Sequence, residues 1–303
     1  MNILITGFAG HIGSDLILKL SKLSKIKKIY AIDNFASENF FSIFNMQNKK
    51  IHILYEDLHS FNLKKLKNIS YTFHFAAKTN AEKSFENKNK IDENLLLTKK
   101  IVDFCNFSNS ILIFPSSTSV YGSQSKMVDE NEPNLSPQSP YADTKIKEEN
   151  LIFKNAKCKF LIFRLGTIYG YSSGIRFHTA INKFCLQAAM NKPLTVWKKN
   201  IHLHRPYLYL DNFNKNMVKI VNGKKIIHNQ LYNFLTENFK LSEIIKIFKS
   251  LIKIKIIYTD TRLINQNSYL VSCKKINKLG FNLRGNLKNE IKKILSKLDV
   301  QKK

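Results

Sequence analysis

Short apolar runs alternate with segments of helical periodicity through the first half of the chain. The apolar runs, typical of strands buried on both faces, are NILITG, KKIYAIDN, KKIHILYEDL, YTFHFAA, SILIFPSS and CKFLIFRLG. Between them, SDLILKLSKLS and NKIDENLLLTKKIVDFCNF carry apolar residues at helical spacing. Strands that alternate with helices favour a parallel sheet covered on both sides, so the pattern predicts an α/β fold with a doubly wound sheet.

The rhythm changes after residue 170. GIRFHTAINKFCLQAAMNKPLTVW indicates a helix and then a strand, and HRPYLYLDNFNKNMVKIV a short strand and then a helix. The segment SCKKINKLGFNLRGNLKNEIKKIL indicates a small helical element, a glycine turn and a closing helix. No low-complexity linker separates the halves. We therefore predict a sheet domain over 1–170, which later segments complete with returning strands or helices, and a smaller α/β lobe over 171–303.

Composition narrows the class of protein. Hydrophobic residues make up 44% of the 303 positions, enough for a full core, and no apolar run is long enough to span a membrane. The start MNILITG lacks the features of a secretory signal. The cysteines have no CxxC spacing, which favours reduced thiols over a disulfide frame or a zinc site. We expect a cytoplasmic protein without a metal and without a membrane partner.

The formal net charge of +27 suggests attraction to anions. The lysines are spread along the whole chain, together with many Asn and Ile residues, and AT-rich coding sequences produce such a composition. No compact Arg/Lys block interleaved with aromatic residues occurs. We therefore favour compositional drift over nucleic-acid binding as the origin of the charge.

The segment GFAGHIG sets Gly7, Gly10 and Gly13 between the first strand and the first helix. Glycine at these places allows a tight turn, close approach of a pyrophosphate and close packing of helix on strand. Asp33 ends the second strand, where a carboxylate can bind ribose hydroxyls and repel a 2′-phosphate. This combination predicts a Rossmann-type dinucleotide site that prefers NAD to NADP, and Asp57 at the end of the third strand is a candidate for adenine.

The segment SPYADTK contains a tyrosine and a lysine one helical turn apart, Tyr141 and Lys145. A phenol with its ordinary pKa of about 10 is a poor base at neutral pH, and a nearby ammonium stabilises the phenolate. The pair is therefore suited to taking a proton from a secondary alcohol. Ser117, at the end of the fifth strand, is a candidate hydrogen-bond donor to the substrate oxygen, with Ser116 as its competitor.

In their order, GFAGHIG, the DN at 33–34, the DL at 57–58, HFAA, SSTSVYG, YxxxK, RLGTIYG and RPYLYLDN resemble the extended short-chain dehydrogenase/reductase family. More narrowly, they resemble its NAD-dependent nucleotide-sugar epimerase/dehydratase group. The resemblance implies catalysis by Tyr141, Lys145 and Ser117, with Lys145 also holding the nicotinamide ribose. For Lys78 two roles stay open: a contact with the cofactor diphosphate, or a solvated lysine in a loop. The predicted NAD contacts are Gly7, Gly10, His11, Ile12, Gly13, Asp33, Asn34, Asp57, Leu58, Phe75, Ala76, Ala77, Lys78 and Lys145.

The resemblance also implies a substrate-binding role for the 171–303 lobe. Arg205 matches the family arginine that binds the substrate diphosphate. For Arg176 and Arg262 two roles stay open, a contact with the substrate or a surface ion pair. Thr167 stands where many relatives have a substrate-contacting Asn, and Tyr269 is expected to pack. The predicted nucleotide-sugar contacts are Ser117, Thr118, Tyr141, Thr167, Arg176, Arg205 and Arg262.

Dehydratases of the group carry an Asp-Glu pair where this chain has Thr118 and Ser119, so the resemblance disfavours water elimination and favours 4-epimerisation. A net dehydrogenase or reductase uses the same catalytic residues and stays an alternative. A non-catalytic NAD-binding scaffold or a basic nucleic-acid binder is the third hypothesis. Relatives pair two helices of each subunit, here those around 89–104 and after Tyr141, which implies a homodimer.

Overall fold

Strands and helices alternate along the chain, as the hydrophobic pattern predicts. The computed structural model describes residues 1–44, 46–79, 83–85, 88–260 and 268–299. The strands of this part are β1 (Asn2–Thr6), β2 (Lys28–Ile32), β3 (Ile51–Leu54), β4 (Ile69–His74), β5 (Ile111–Ser117), β6 (Met127–Val128), β7 (Phe160–Leu165), β8 (Thr167–Tyr169), β9 (Leu194–Trp197), β10 (His204–Tyr209), β11 (Gln230–Phe234), β12 (Glu237–Lys240), β13 (Ile256–Thr259) and β14 (Leu270–Val271). Its α-helices are α1 (Gly13–Ser21), α2 (Lys88–Ser108), α3 (Pro140–Asn155), α4 (Ala180–Ala189), α5 (Leu210–Val221), α6 (Leu241–Leu251), α7 (Lys274–Asn277) and α8 (Leu287–Lys297).

A seven-stranded parallel sheet forms the centre of the protein, in the order β11-β7-β5-β4-β1-β2-β3. From β1 the chain proceeds through β2 to β3 at one edge, and then returns to β4 on the other side of β1. The strand order therefore reverses between β1 and β4. In open α/β sheets the crevice outside the carboxyl ends of the strands at such a point binds ligands. The predicted Rossmann-type doubly wound sheet is confirmed.

Each face of the sheet has its own core. Along β1, Ile3 and Ile5 point into the core formed with α1 and α5, whereas Leu4 points into the core formed with α2 and α3. This alternation is the two-residue period of a strand. Because both faces are covered, nearly every position of these strands has to be apolar, which is why they appear as continuous apolar runs.

The seventh strand comes from the second half of the chain. The run QLYNF forms β11 beside β7, and its Tyr232 and Phe234 complete the first core together with Phe213 of α5. The sequence pattern predicts that later segments return to the sheet, but it does not mark this strand. Since the first core contains side chains from both halves, the boundary at residue 170 stays a prediction.

A smaller α/β lobe lies beyond β7. Strands β8, β10 and β12 form a three-stranded sheet, β9 pairs in parallel with β13, and α4, α6 and α8 share one further core. The predicted order of helix, strand, strand and helix corresponds to α4, β9, β10 and α5. Helix α6 and strand β12 were not predicted. No helix in the described residues is long and apolar enough to cross a membrane.

Candidate active site

A cleft of about 430 Å³ lies where the carboxyl ends of β1, β4 and β5 face the smaller lobe. The turn after β1, the end of β5 and the first turn of α3 form one wall, and residues from α4, β9 and β10 form the other. Thirteen of the predicted site residues line it: Gly7, Gly10, His11, Ile12, Phe75, Ala77, Ser117, Thr118, Tyr141, Lys145, Thr167, Arg176 and Arg205.

The glycine turn follows the neighbouring backbone so closely that side chains are excluded. Gly7 has φ +69°, and a Cβ there would lie 2.4 Å from the amide nitrogen of Ala76. A Cβ on Gly13 would lie 2.6 Å from Cα of Phe8. A Cβ on Gly10 would lie 3.3 Å from the carbonyl oxygen of Gly7 and 3.8 Å from the guanidinium of Arg176. A tight turn below a cation, at the start of α1, fits a dinucleotide diphosphate.

Asp33 lies just beyond β2, beside this turn. The amide of Ala9 donates to its Oδ2 at 3.0 Å, and the amide of Phe35 donates to its Oδ1 at 2.9 Å. Each carboxylate oxygen keeps a second lone pair, so the pair can also accept from a ribose diol. Burial raises the pKa of Asp33 despite these two bonds and the charge of Arg176. Further donors from a bound ribose would offset that desolvation.

The next strand end is tied to this one. The side-chain amide of Asn34 donates to Oδ2 of Asp57 at 2.8 Å, and the amide of His59 donates to Oδ1 at 2.7 Å. These hydrogen bonds lower the pKa of Asp57, which stays ionised. Leu58 is buried in the second core and packs there. Asn34 and Asp57 thus brace the edge where adenine is expected, and direct contact with the cofactor stays a prediction.

Beyond β4 the chain is held by Asn94 of α2. The amide of Lys78 donates to Oδ1 of Asn94, and Nδ2 of Asn94 donates to the carbonyl of Lys78, both at 2.9 Å. The ammonium of Lys78 pairs with Glu93 at the exposed rim. The geometry therefore gives Asn94 a structural role. The exposed ion pair with Glu93 favours the role of Lys78 as a solvated loop lysine over a contact with the cofactor diphosphate.

The stretch SPYADTK forms the start of α3. Ser139 is the N-cap, with its hydroxyl accepting from the amide of Ala142 at 3.2 Å, and Pro140 occupies the first turn. One turn separates Tyr141 from Lys145, whose Nζ lies 5.9 Å from the centre of the tyrosine ring. The helix start thus delivers both predicted catalytic side chains to the same cleft.

Ser117 completes the predicted catalytic group. Its hydroxyl shares a 2.8 Å hydrogen bond with that of Ser119 and is near enough to the Tyr141 phenol to lower the pKa of that group. The competitor Ser116 points to the other side of β5 and donates to Oε1 of Glu149 at 2.5 Å. Thr118 is buried and donates to the carbonyl of Leu165 at 3.2 Å. Ser117 is therefore the serine that faces Tyr141, and the predicted substrate contact of Thr118 stays a prediction.

Burial dominates the titration of the tyrosine. It raises the pKa of Tyr141, although the charges of Lys145 and Arg176 and the Ser117 hydrogen bond all lower it. The expected effect of Lys145 is thus present but outweighed in the free protein. For Lys145 itself, burial is the largest single effect and lowers the pKa, but Glu148, whose carboxylate is 3.0 Å away, together with Tyr141 and Glu149 outweighs it and leaves the pKa raised. The free site therefore pairs a phenol with an ammonium.

Two arginines reach the cleft from the smaller lobe. Arg205 of β10 lies over the Tyr269 ring, 5.1 Å from its centre, so that Tyr269 packs as expected. Nη2 of Arg205 is buried and has no hydrogen-bond partner among the described residues. Arg176 donates to Thr79 and lies over the glycine turn, which favours a cofactor contact over the predicted substrate contact. Arg262 lies outside the described residues.

The imidazole of His11 links the glycine turn to the smaller lobe. Its Nε2 hydrogen bonds the carbonyl of Gly170 at 2.7 Å, and burial lowers its pKa to about 4. The ring is therefore neutral and structural, and a cofactor contact of this residue would involve its backbone. Lys183 and Trp197 also line the cleft, and no local pattern in the sequence marked them. Glu148 was missed too, although its spacing from Lys145 was a usable signal.

A parallel sheet that binds a dinucleotide at its switch point, beside a Ser-Tyr-Lys group, defines an NAD-dependent enzyme that acts on an alcohol or ketone. The chain belongs to the NAD dependent epimerase/dehydratase family, whose model matches residues 3–234. NAD is therefore its cofactor, and the resemblance to this group is confirmed. In this family the chain is an enzyme of the sugar epimerase/dehydratase type.

Individual relatives are more distant. An uncharacterized UDP-glucose epimerase of Bacillus subtilis (strain 168) is 30% identical over 75% of this chain and 74% of its own. A dTDP-D-glucose 4,6-dehydratase of Dictyostelium discoideum is 31% identical over 84% of this chain, which spans only 62% of that protein. The structure of a UDP-glucuronic acid 4-epimerase from Bacillus cereus, with UDP-glucuronic acid and NAD, covers 99% of each chain with a TM-score of 0.89 and 24% identity. This last similarity shows the fold.

Replacement of Asp33 by Asn tests the predicted ribose contact. We expect NAD affinity to fall about tenfold and discrimination against NADP to fall at least as much, since a charged acceptor is lost and a 2′-phosphate is no longer repelled. Titration calorimetry with both dinucleotides measures this. Asp103→Asn, an exposed aspartate of α2, is the control and should change neither affinity. If Asp33→Asn discriminated between NAD and NADP as well as the natural protein does, the predicted ribose contact of Asp33 would be refuted.

Proposed function

We propose that the protein is a nucleotide-sugar epimerase that inverts C4 through a transient 4-keto sugar. The observation that carries this proposal is the content of the cleft. Tyr141, Ser117 and Lys145 face it beside the dinucleotide turn, whereas no Asp or Glu lines it in the described part of the chain. The site thus has what reversible oxidation of a hydroxyl needs and lacks a second acid-base pair.

The catalytic residues move the proton. In its phenolate form, which Lys145 stabilises, Tyr141 accepts the proton of the C4 hydroxyl and later returns it, and Ser117 hydrogen bonds the reacting oxygen. When bound, NAD supplies a reversible acceptor for the hydride. Such an acceptor would allow the ketone to be reduced on its opposite face, which would invert the carbon with no net oxidation or reduction.

Elimination of water has less support. A 4,6-dehydratase needs an acid and a base near the carbons that lose water, and the dehydratase relative makes that reaction a candidate. Here Thr118 is buried against β7, and Ser119 hydrogen bonds Ser117. Neither hydroxyl titrates near neutral pH. We therefore rank dehydration below epimerisation.

The charges of the cleft support a nucleotide-sugar substrate. The cations that line it in the described residues are Lys145, Arg176, Lys183 and Arg205. Arg205 is best suited to the substrate diphosphate because its buried Nη2 lacks a hydrogen-bond partner among those residues, and a guanidinium binds phosphate oxygens in fork geometry. Thr167 lines the cleft nearby and stays a proposed sugar contact.

The direct test is incubation of the NAD-loaded protein with a panel of nucleotide-sugars. The names of the relatives suggest UDP-glucose, UDP-glucuronic acid and dTDP-glucose as the first members, followed by GDP- and CDP-sugars. Nuclear magnetic resonance of the products should show an inverted C4 without accumulation of NADH. Stoichiometric NADH would instead establish the alternative, a net dehydrogenase, and loss of water would establish the dehydratase.

Tyr141→Phe is expected to lower kcat about 10²–10⁴-fold while NAD affinity stays within a few-fold, because only the proton acceptor is removed. Turnover of the accepted sugar and NAD titration measure the two effects. Tyr55→Phe, at an exposed tyrosine, is the control and should keep full activity. A Tyr141→Phe variant with unreduced turnover would refute the assigned base.

We also propose that two copies pair through α2 and α3. Leu96 and Phe107 of α2 and Phe153 of α3 are 63%, 56% and 48% exposed, and pairing of these helices with those of a second copy would cover apolar side chains of this kind. Light scattering should give twice the 35.2 kDa chain mass for the natural protein and the single mass for Leu96→Glu. Met190→Glu, on the smaller lobe, should stay dimeric. A monomeric natural protein would contradict the pairing.

A cytoplasmic location and the absence of nucleic-acid binding stay predictions.

A further inference from the structure

A carboxylate lies directly behind the catalytic pair. Glu148 follows Lys145 by three residues on α3, and its Oε2 is 3.0 Å from Nζ. The two side chains are only 1% and 3% exposed. The other oxygen of Glu148 accepts a 2.6 Å hydrogen bond from the hydroxyl of Thr98 on α2. One carboxylate oxygen of Glu148 is thus hydrogen bonded to Thr98, and the other forms an ion pair with Lys145.

The ammonium of Lys145 has competing anionic positions. The centre of the Tyr141 ring is 5.9 Å from Nζ, and Oε2 of Glu148 is 3.0 Å from Nζ. Below it, the ring of Phe114 provides a cation–π contact at 4.6 Å. In a buried site of low effective dielectric, a carboxylate 3.0 Å away attracts the ammonium strongly.

Other charged groups near the pair do not cancel this carboxylate. His74 of β4 is buried and neutral, with its pKa lowered to about 3. Glu149 is neutralised by Arg164 of β7, and Arg176 approaches Tyr141 from beyond β8. The charged or titratable groups around Tyr141 and Lys145 are therefore His74, Glu148, Glu149 and Arg176, and Arg164 pairs with Glu149.

We propose that Glu148 is a positioning residue of the catalytic pair, a buried counter-charge that fixes the Lys145 ammonium and restrains its stabilisation of the Tyr141 phenolate. The inference rests on the proposed roles of Tyr141 and Lys145. It means that two side chains of the same helix, Lys145 and Glu148, act on the tyrosine in opposite directions. Consistent with this, the charge of Glu148 raises the pKa of Tyr141.

A merely structural ion pair makes a different prediction. If Glu148 only joined α2 to α3, its replacement would change stability and leave the titration of Tyr141 alone. Gln has almost the shape of Glu and its oxygen can still accept from Thr98, so Glu148→Gln removes the charge with little change in packing. Asp143→Asn is the matched control, because Asp143 is a half-exposed carboxylate of the same helix, paired with Lys147.

The titration of Tyr141 is the measurement. Protein labelled with ¹³Cζ-tyrosine is titrated with and without saturating NAD, and Tyr141→Phe identifies the resonance. We expect its midpoint to fall by about one pH unit or more in Glu148→Gln, since removal of a nearby negative charge favours the phenolate. The midpoint in Asp143→Asn should equal that of the natural protein. With a substrate in hand, the acid limb of kcat/KM should move to lower pH by the same amount.

A midpoint that is unchanged or higher in folded Glu148→Gln would overturn the proposal. Should that variant fail to fold, Glu148→Asp retracts the charge by one methylene and should lower the midpoint by a smaller amount, and no fall there would overturn the proposal equally. The titration needs no turnover. Failure of every sugar in the panel would therefore count against the proposed function and leave the role of Glu148 measurable.

Discussion

A bidentate ion pair between Arg164 and Glu149 determines where the catalytic helix lies. Nε and Nη2 of the arginine on β7 donate to the two carboxylate oxygens on α3 at 3.0 and 2.7 Å, and Ser116 at the end of β5 donates to the same carboxylate. Because these groups are buried, loss of one partner would leave an uncompensated charge, which is far more costly than a lost surface pair. The arrangement therefore ties α3 to two strands of the sheet, and the position of Tyr141 follows from it.

The features that could be predicted from the sequence are encoded within short stretches of chain. The turn GFAGHIG needs glycine because the backbone at 75–76 passes beside Gly7, and the helix start at Ser139 and Pro140 is a local capping pattern. Tyr141 and Lys145 meet because one helical turn separates them. Continuous apolar runs likewise predict the central strands, because a strand that is buried on both faces of the sheet needs apolar residues at nearly every position.

The remaining features depend on contacts between distant parts of the chain. Arg176 and Thr79 are 97 positions apart, and Thr98 and Glu148 are 50 apart. Nothing near Arg176 indicates that it lies over the glycine turn, nor does QLYNF, a short run with polar residues, stand out as the strand that completes the sheet. Arg205 is intermediate, because its identity was suggested by resemblance but its unpartnered nitrogen is visible only in three dimensions. Tyr141 shows the same division, since burial, a tertiary property, outweighs the effect of its neighbour in the helix.

The cationic lining of the cleft has a kinetic consequence. A chain with a formal charge of +27, whose cleft presents lysine and arginine and no carboxylate among the described residues, surrounds its mouth with positive potential. Such a field accelerates the encounter with a diphosphate and is screened by salt over about 8–10 Å at ordinary ionic strength. The same field attracts any polyanion to the entrance. Lysines that accumulated through base composition would then set the rate of capture, with inorganic phosphate and nucleic acid acting as competitors.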